Sequence, residues 1–302
     1  MMNKQVRVAG VFSTPLSSDS AADPSMARLL RRADDFTLLA VKAASGVLEK
    51  SLPLKADRED GLRETGIFLG SVTGPLETNF RFLDGLLDGG EGNSSPTLFS
   101  HSVHNAAAGY IARIHDIRGP AMTITKRTWP FIEALRTASG MIAAGRIECA
   151  VVAGVEQTSP LMLDAMRGLE SGMETGGSDA GPDASPEGDG AVAWLLEKAD
   201  ATCDSDALFI GDIEILEESC DAPFFLLRTE EAWRASAGGV PVSDCAGTGK
   251  GLAMESVFAL TEFLDALLEK RFVTDSPDLR WMVTARFGMS YVDIVKGGEF
   301  EV

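Results

Sequence analysis

The stretch Lys126-Arg127-Thr128-Trp129-Pro130 joins an apolar strand candidate at 121–125 to a helix candidate at 130–145. In an α/β enzyme such a turn presents a nucleophile, because the positive end of the helix dipole stabilises an anion formed there. The hydroxyl of Thr128 is the best nucleophile the turn offers. It is a poor one without an adjacent base, and Lys126 and Arg127 are cations at neutral pH. Thr128 also reads as the N-cap of the helix, with Pro130 tolerated in the first turn and Glu133 favoured near the positive end.

Other candidate groups are fewer. His101 and His104 stand three apart at the start of a helix, but a pair without a third ligand does not make a metal site, and a hydrogen-bonded structural role is the simpler reading. Gly247-Thr248-Gly249-Lys250-Gly251 fails as a phosphate loop, since Asp244 replaces the first glycine and Gly251 the hydroxyl that would hold Mg²⁺. Cys149, Cys203, Cys220 and Cys245 are scattered, which signals neither zinc nor a disulfide framework. Cys149, inside an apolar run, reads as a buried core thiol. Neither G-x-S-x-G nor H-E-x-x-H occurs. No metal and no cofactor is expected.

The elements that must position these groups alternate between apolar runs and segments of helical period, as in an α/β fold with strands covered on both faces. Strands are expected at 5–12, 66–71, 121–125, 149–155, 190–197 and 207–217, with a strand pair at 281–295. Helices are expected at 26–50, 74–88, 103–115 and 130–145. A further helix at 255–269 places Val257, Leu260, Leu264 and Leu267 on a buried stripe opposite Glu255, Glu262, Asp265 and Glu269. The helix at 74–88 gathers Phe80, Leu83 and Leu86 or Leu87 on one face. Residues 171–189, rich in Gly, Ser, Asp and Pro, read as a flexible insertion loop between two strands.

At 302 residues with 45% hydrophobic composition, the chain can bury a sizeable core. Its first apolar run has the length of a strand, too short for a signal-peptide core or a membrane span, and a cytoplasmic location is expected. The net charge of −18 argues against nucleic acid and anionic membranes as partners. It also makes a poor docking face for an acidic protein such as an acyl carrier protein.

Four stretches resemble the β-ketoacyl synthases of the thiolase superfamily: "SPTLFSHSVHNAAAGYIARIHDIRGP" (95–120), "AMTIT…AGRIECAVVAGVEQ" (121–157), "EGDGAVAWLLEKA" (187–199) and "RFGMSYVDIV" (286–295). The first is also similar to the branch of chain-length-factor-like subunits. The likeness is nearly continuous over the first 200 residues, and the remainder matches as a shortened second half. It implies a thiolase-like fold of two pseudo-symmetric βαβ halves in α/β/α/β/α layers, divided at 1–200 and 201–302, with the second half truncated.

The family's chemistry is decarboxylative condensation by a cysteine at a helix N-terminus and two His, or His and Asn, that stabilise an enolate. A gapless match of the strand and helix puts Thr128 at the cysteine, and the stretch 241–260, similar to the family's G-H-x-x-G-A-A-G helix start, puts Ala246 at one histidine; the other histidine motif has no counterpart. The resemblance therefore implies a non-catalytic subunit, a homodimer or a heterodimer with a catalytic ketosynthase in type II fatty-acid or polyketide assembly, reaching acyl carrier protein through that partner. Trp129, Phe131, Phe287, Met289 and Cys245 are the pocket candidates, with the first two considered either as side chains presented to a partner's acyl tunnel or as core or interface packing. Two rivals stand: an acyltransferase or thioesterase using Thr128 or Cys245, and an acyl-chain-binding protein without chemistry.

Overall fold

The computed structural model describes residues 5–15, 24–51, 64–126, 129–157, 159–161, 190–200, 207–216, 225–227, 261, 264–265, 268–269, 278–285 and 288–296. In the first part of the chain, strand β1 (Val6–Pro15) is followed by helices α1 (Pro24–Leu30) and α2 (Asp35–Ser51), strand β2 (Thr65–Ser71), and helices α3 (Leu76–Gly89), α4 (Pro96–His101) and α5 (Ala106–Ile114). Strand β3 (Ala121–Thr125), helix α6 (Pro130–Ala143) and strands β4 (Cys149–Glu156) and β5 (Gly190–Lys198) follow. Beyond them lie β6 (Leu208–Leu216), β7 (Phe225–Leu227), β8 (Asp278–Ala285) and β9 (Gly288–Lys296).

These strands form a continuous sheet of order β3-β2-β4-β5-β1-β6-β9-β8-β7. β3, β2 and β4 run parallel, while β5 pairs antiparallel with both β4 and β1. The strands of the first 200 residues are joined to the later group where Val6–Val8 of β1 pairs with Leu208–Ile210 of β6. Every residue of β2 and β4 is buried, as expected of strands covered on both faces.

Strand alternation divides the core in two. Phe68, Val152, Trp194 and Leu196 point to the face covered by α6 through Phe131, Ile132, Leu135 and Ile142. Ile67, Leu69, Val151, Ala153 and Leu195 point to the opposite face, covered by Phe36, Leu39 and Leu48 of α2 and Ile111 of α5. Leu264, expected on a buried helical stripe, is buried in the first of these clusters. Glu269, expected opposite the buried stripe, is exposed, and Asp265 is half-buried; both form ion pairs with Lys50 of α2. Val257, Leu260, Leu267, Glu255 and Glu262, together with the loop at 171–189, lie outside the described residues.

Three expectations need correction. The helix read at 26–50 is two, because Asp34 restarts the chain: its Oδ1 accepts from the Thr37 amide at 3.0 Å and caps α2. A helix unforeseen in the sequence, α4, starts at Pro96, with the Ser95 hydroxyl accepting from the Leu98 amide at 3.3 Å. The apolar face of α3 is not covered: Thr78 is its one buried residue, and Leu83 and Leu87 are 46% and 79% exposed. Among the described residues no helix is long and apolar enough to cross a membrane.

Gly70 fixes how α6 sits on the sheet. A Cβ at this position would stand 2.4 Å from the Pro130 carbonyl oxygen and 2.6 Å from the Phe131 amide nitrogen, so the first turn of α6 touches the backbone of β2. Backbone on both sides leaves no side chain to yield. Gly70→Ala is expected to destabilise the fold by about 1–3 kcal/mol, read as a lowered urea midpoint with an unchanged slope.

Candidate functional site

The C-terminal ends of β3, β2 and β4 lie side by side, with Thr125 beside Ser71 in register and β4 ending one residue beyond the Gly70–Gly154 pair plus Val155, at Glu156. In open α/β sheets this is the edge where ligands bind. Three chain segments leave it: the turn into α6, the turn into α3, and the chain after β4.

The turn into α6 is described from Trp129 onward; Arg127 and Thr128 lie outside the described residues. Because α6 begins at Pro130, its cap position falls on Trp129 and not on Thr128. Trp129 adopts the left-handed conformation (φ 58°, ψ 40°) and makes no side-chain cap. A bulky residue there costs about 1–3 kcal/mol, offset by the burial the conformation permits. The indole is 3% exposed within the α6-side core, although its Nε1 has no hydrogen-bond partner among the described residues.

Phe131, 1% exposed, packs edge-on against Trp194 with ring centroids 5.2 Å apart. Both bulky side chains of the turn thus pack into this chain's own core. Neither Trp129 nor Phe131 is displayed on the surface, where a partner's tunnel would meet it. Lys126 and Arg136 flank Glu133 in the first turn of α6, with Lys126 Nζ 4.0 Å from its carboxylate. Among the described residues, Glu133, the carboxylate nearest the turn, is thus paired with cations. Cys245, Ala246 and Phe287 are outside the described residues, while Met289 stands on β9 opposite Leu216 of β6 and Thr284 of β8.

The turn into α3 is organised by a residue to which the sequence reading gave no role. The Glu156 carboxylate, 0% exposed, accepts from the Val72 amide, from the Thr73 amide at 3.4 Å, and from the Ser71 and Thr73 hydroxyls at 3.2 Å each. The Ser71 hydroxyl in turn accepts from the Gly74 amide at 2.8 Å. Burial pushes the Glu156 pKa up from 4.5 to about 7, against the downward pull of these hydrogen bonds. The other carboxylate buried in these strands, Glu197, has Arg7 at 2.7 Å to neutralise it. One signal in the sequence pointed to Glu156: a lone carboxylate closing an otherwise apolar strand, "CAVVAGVE".

The histidines separate in role. His101 is buried, with Nδ1 2.7 Å from the Thr97 carbonyl oxygen and Nε2 2.9 Å from the Tyr110 hydroxyl, so both ring nitrogens are engaged within the chain. His104 borders Gly74 of the Glu156 turn, where glycine at φ 59° leaves room for the imidazole. His115 Nε2 lies 2.9 Å from the Ser45 hydroxyl, and burial lowers its pKa. Among the described residues no group of three His, Cys, Asp or Glu side chains is placed to hold a metal ion. Cys149 is buried at 2% exposure, with its sulfur 3.9 Å from Glu197.

A mixed sheet whose parallel strands β3, β2 and β4 end at a helix-initiating turn is the local setting of the site, and the sequence matches a known family. The family model described as "Beta-ketoacyl synthase, N-terminal domain" matches residues 3–201, and the chain belongs to that family. A curated relative, 3-oxoacyl-[acyl-carrier-protein] synthase 2 of Rhizobium meliloti (strain 1021), is 29% identical over 138 residues, which is 46% of this chain and 32% of the relative. The match thus spans about a third of that relative's length.

Among solved structures, a type II polyketide synthase acyl-carrier protein in complex with its ketosynthase bound to the hexaketide superposes with a TM-score of 0.68 at 16% identity, over 98% of this chain and 100% of the other. A β-ketoacyl synthase from Burkholderia phymatum STM815 gives 0.65 at 14% identity, over 98% and 100%. A ketosynthase in complex with its chain length factor from Xenorhabdus doucetiae gives 0.54 at 16% identity, over 98% of each chain. The fold is that of the thiolase-like ketosynthases.

Phe131→Ala would remove a ring from a site with no water access and leave a cavity against Trp194. The expected loss is about 3–5 kcal/mol of stability, measured by chemical denaturation with tryptophan fluorescence.

Proposed function

We propose that this protein is a β-ketoacyl-synthase-like subunit without condensing chemistry, which pairs with a catalytic ketosynthase in type II fatty-acid or polyketide assembly. The observation that carries the reading is the composition of the turn at the head of α6. Where the family places a cysteine, the sequence has Thr128, flanked by two cations and followed by Trp129, whose side chain is committed to the core. A threonine hydroxyl is a poor nucleophile unless an adjacent base takes its proton, and its neighbours in sequence, Lys126 and Arg127, are cations. Ala246 at the position of a family histidine removes part of the enolate-stabilising set as well. A division near residue 200 into two thiolase-like halves is consistent with this reading, as is a cytoplasmic setting.

Pairing is supported by β3. It is an edge strand of the sheet, bonded among the described residues to β2 alone, and Ala121, Met122 and Thr125 are exposed along it. An open edge of this kind is normally covered or charged, and nothing in "AMTIT" is charged. A ketosynthase partner laid against β3 would satisfy its free backbone groups, and acyl carrier protein would then be met on the partner, since this chain is itself acidic.

Purification of the tagged protein from its native host is expected to recover a synthase bearing the full Cys/His/His set at a one-to-one ratio. Recovery of a self-dimer alone would remove the heteromeric role. Met122→Lys, a charge on the edge strand, is expected to shift the complex to free subunits in light scattering while leaving the circular dichroism unchanged. Incubation with acyl-CoA or acyl-carrier thioesters should release no thiol above background. Release abolished by Thr128→Ala or Cys245→Ala would overturn the non-catalytic assignment in favour of an acyl-transfer enzyme.

A further inference from the structure

Among the described residues, helices α3 and α4 form an arm held to the rest of the molecule at few points: at its root, and where His101 Nε2 of α4 meets the Tyr110 hydroxyl of α5 at 2.9 Å. α3 buries Thr78 alone and α4 buries His101 alone. Within the arm, Phe82 and Phe99 pack with ring centroids 5.6 Å apart, while Leu83, Leu87, Phe99 and Val103 are 46%, 79%, 60% and 46% exposed. Its root is the turn Ser71–Pro75. Two attachments secure the root: the Thr78 hydroxyl donates to Asp34 at 2.7 Å, and the turn closes over the Glu156 carboxyl.

The second attachment is a carboxyl group that meets no cation among the described residues. Its partners are two fixed amides, which donate in either protonation state, and two hydroxyls, which can turn to accept a proton from it. A neutral carboxyl therefore fits the closed turn. A charged one keeps its hydrogen bonds but remains a fully buried anion, an unfavourable state without a counter-charge. Val72 and Thr73 are half-buried, so they are the cover between this group and water. The titratable groups on the elements around it are Lys126 beyond β3, which is ion-paired with Glu133, His104 beside Gly74, and Glu77 in the first turn of α3. None of the three hydrogen-bonds to the Glu156 carboxyl.

We propose that Glu156 is a proton-dependent latch: its neutral carboxyl holds the Ser71–Pro75 turn closed, and its ionisation favours opening of that turn and release of the α3–α4 arm. The inference rests on the geometry of the turn and holds whether or not the protein pairs with a synthase. The arm carries the apolar side chains Leu83, Leu87, Phe99 and Val103, so the latch controls how firmly that surface is presented.

The sign follows from linkage. The closed state binds the proton with a pKa of about 7, against 4.5 for the same group in water, so the closed state gains protons relative to the open one between those values. Closure is favoured at low pH and is progressively lost as pH rises towards 7, where the effect levels off. The open-to-closed ratio should grow about tenfold between pH 6 and pH 8.

Hydrogen exchange of the full chain read by mass spectrometry, corrected for the intrinsic pH dependence of amide exchange, tests this directly. Peptides covering residues 72–103 should be about tenfold better protected at pH 6 than at pH 8, with peptides from β4 and β5 unchanged. Glu156→Gln, which cannot ionise, should keep the arm protected at both pH values. Thr73→Val leaves the carboxyl in place but removes one donor to its charged form, and should move the midpoint to higher pH. Arm protection independent of pH in the wild-type chain would overturn the latch. So would pH-dependent protection persisting in Glu156→Gln, or an unmoved midpoint in Thr73→Val.

Discussion

The contact between the first turn of α6 and the backbone of β2 organises the centre of this protein. A glycine at position 70 lets the Pro130 carbonyl and the Phe131 amide come within reach of the strand itself, closer than any side chain would allow. That approach sets the depth at which α6 lies, and with it the line of Phe131, Ile132, Leu135 and Ile142 against Phe68, Val152 and Trp194. It also constrains the turn above. With Pro130 as the first helical residue and Gly70 beneath it, the chain enters through a left-handed Trp129 whose ring has only the core to occupy. The strain of that residue and the burial of its ring are two sides of one constraint.

The same geometry bears on chemistry. A turn that delivers a nucleophile must hold a small, reactive side chain at the helix end, with space in front of it for substrate. This turn follows the candidate position with an indole and then a proline, and Lys126 and Arg136 are both directed at Glu133 in the helix's own first turn. The fold of the family is retained in the sheet and the seat of the helix, while Trp129 and Phe131 at the helix end are packed in the core.

The two buried carboxylates at opposite ends of the central strands show how one fold treats charge in two ways. Glu197, on β5, is neutralised by Arg7 on β1 and acts as a fixed cross-strand tie. Glu156, at the end of β4, meets only amides and hydroxyls, so its ionisation stays near neutrality and its environment is sensitive to it. The arm whose Leu83, Leu87 and Phe99 are exposed is rooted on the second of these and not on the first. Stability is thus distributed unevenly, with a rigid sheet at the centre and a weakly secured appendage at the edge of the strands.

Periodicity and apolar runs were enough to place every strand but β7 to within a few residues, because a strand buried on one or both faces must show its apolar side chains in sequence. β3 at 121–125 was read to the residue although it is exposed along the sheet edge, since its apolar run is bounded by Pro120 and Lys126. The family was legible too, since the stretches 95–120 and 121–157 carry it in contiguous residues, as was the absence of a cysteine in the turn. The break between α1 and α2 and the start of α4 were missed, because each depends on a single capping side chain, Asp34 or Ser95, and not on a repeated pattern. The fates of α3's apolar face and of Trp129 and Phe131 were decided only by the assembled fold, because a sequence shows which side chains are apolar but not what lies opposite them. Glu156 belongs to the same class: its partners are residues 71–73, more than eighty positions away, and only the register of β2 beside β4 brings them together.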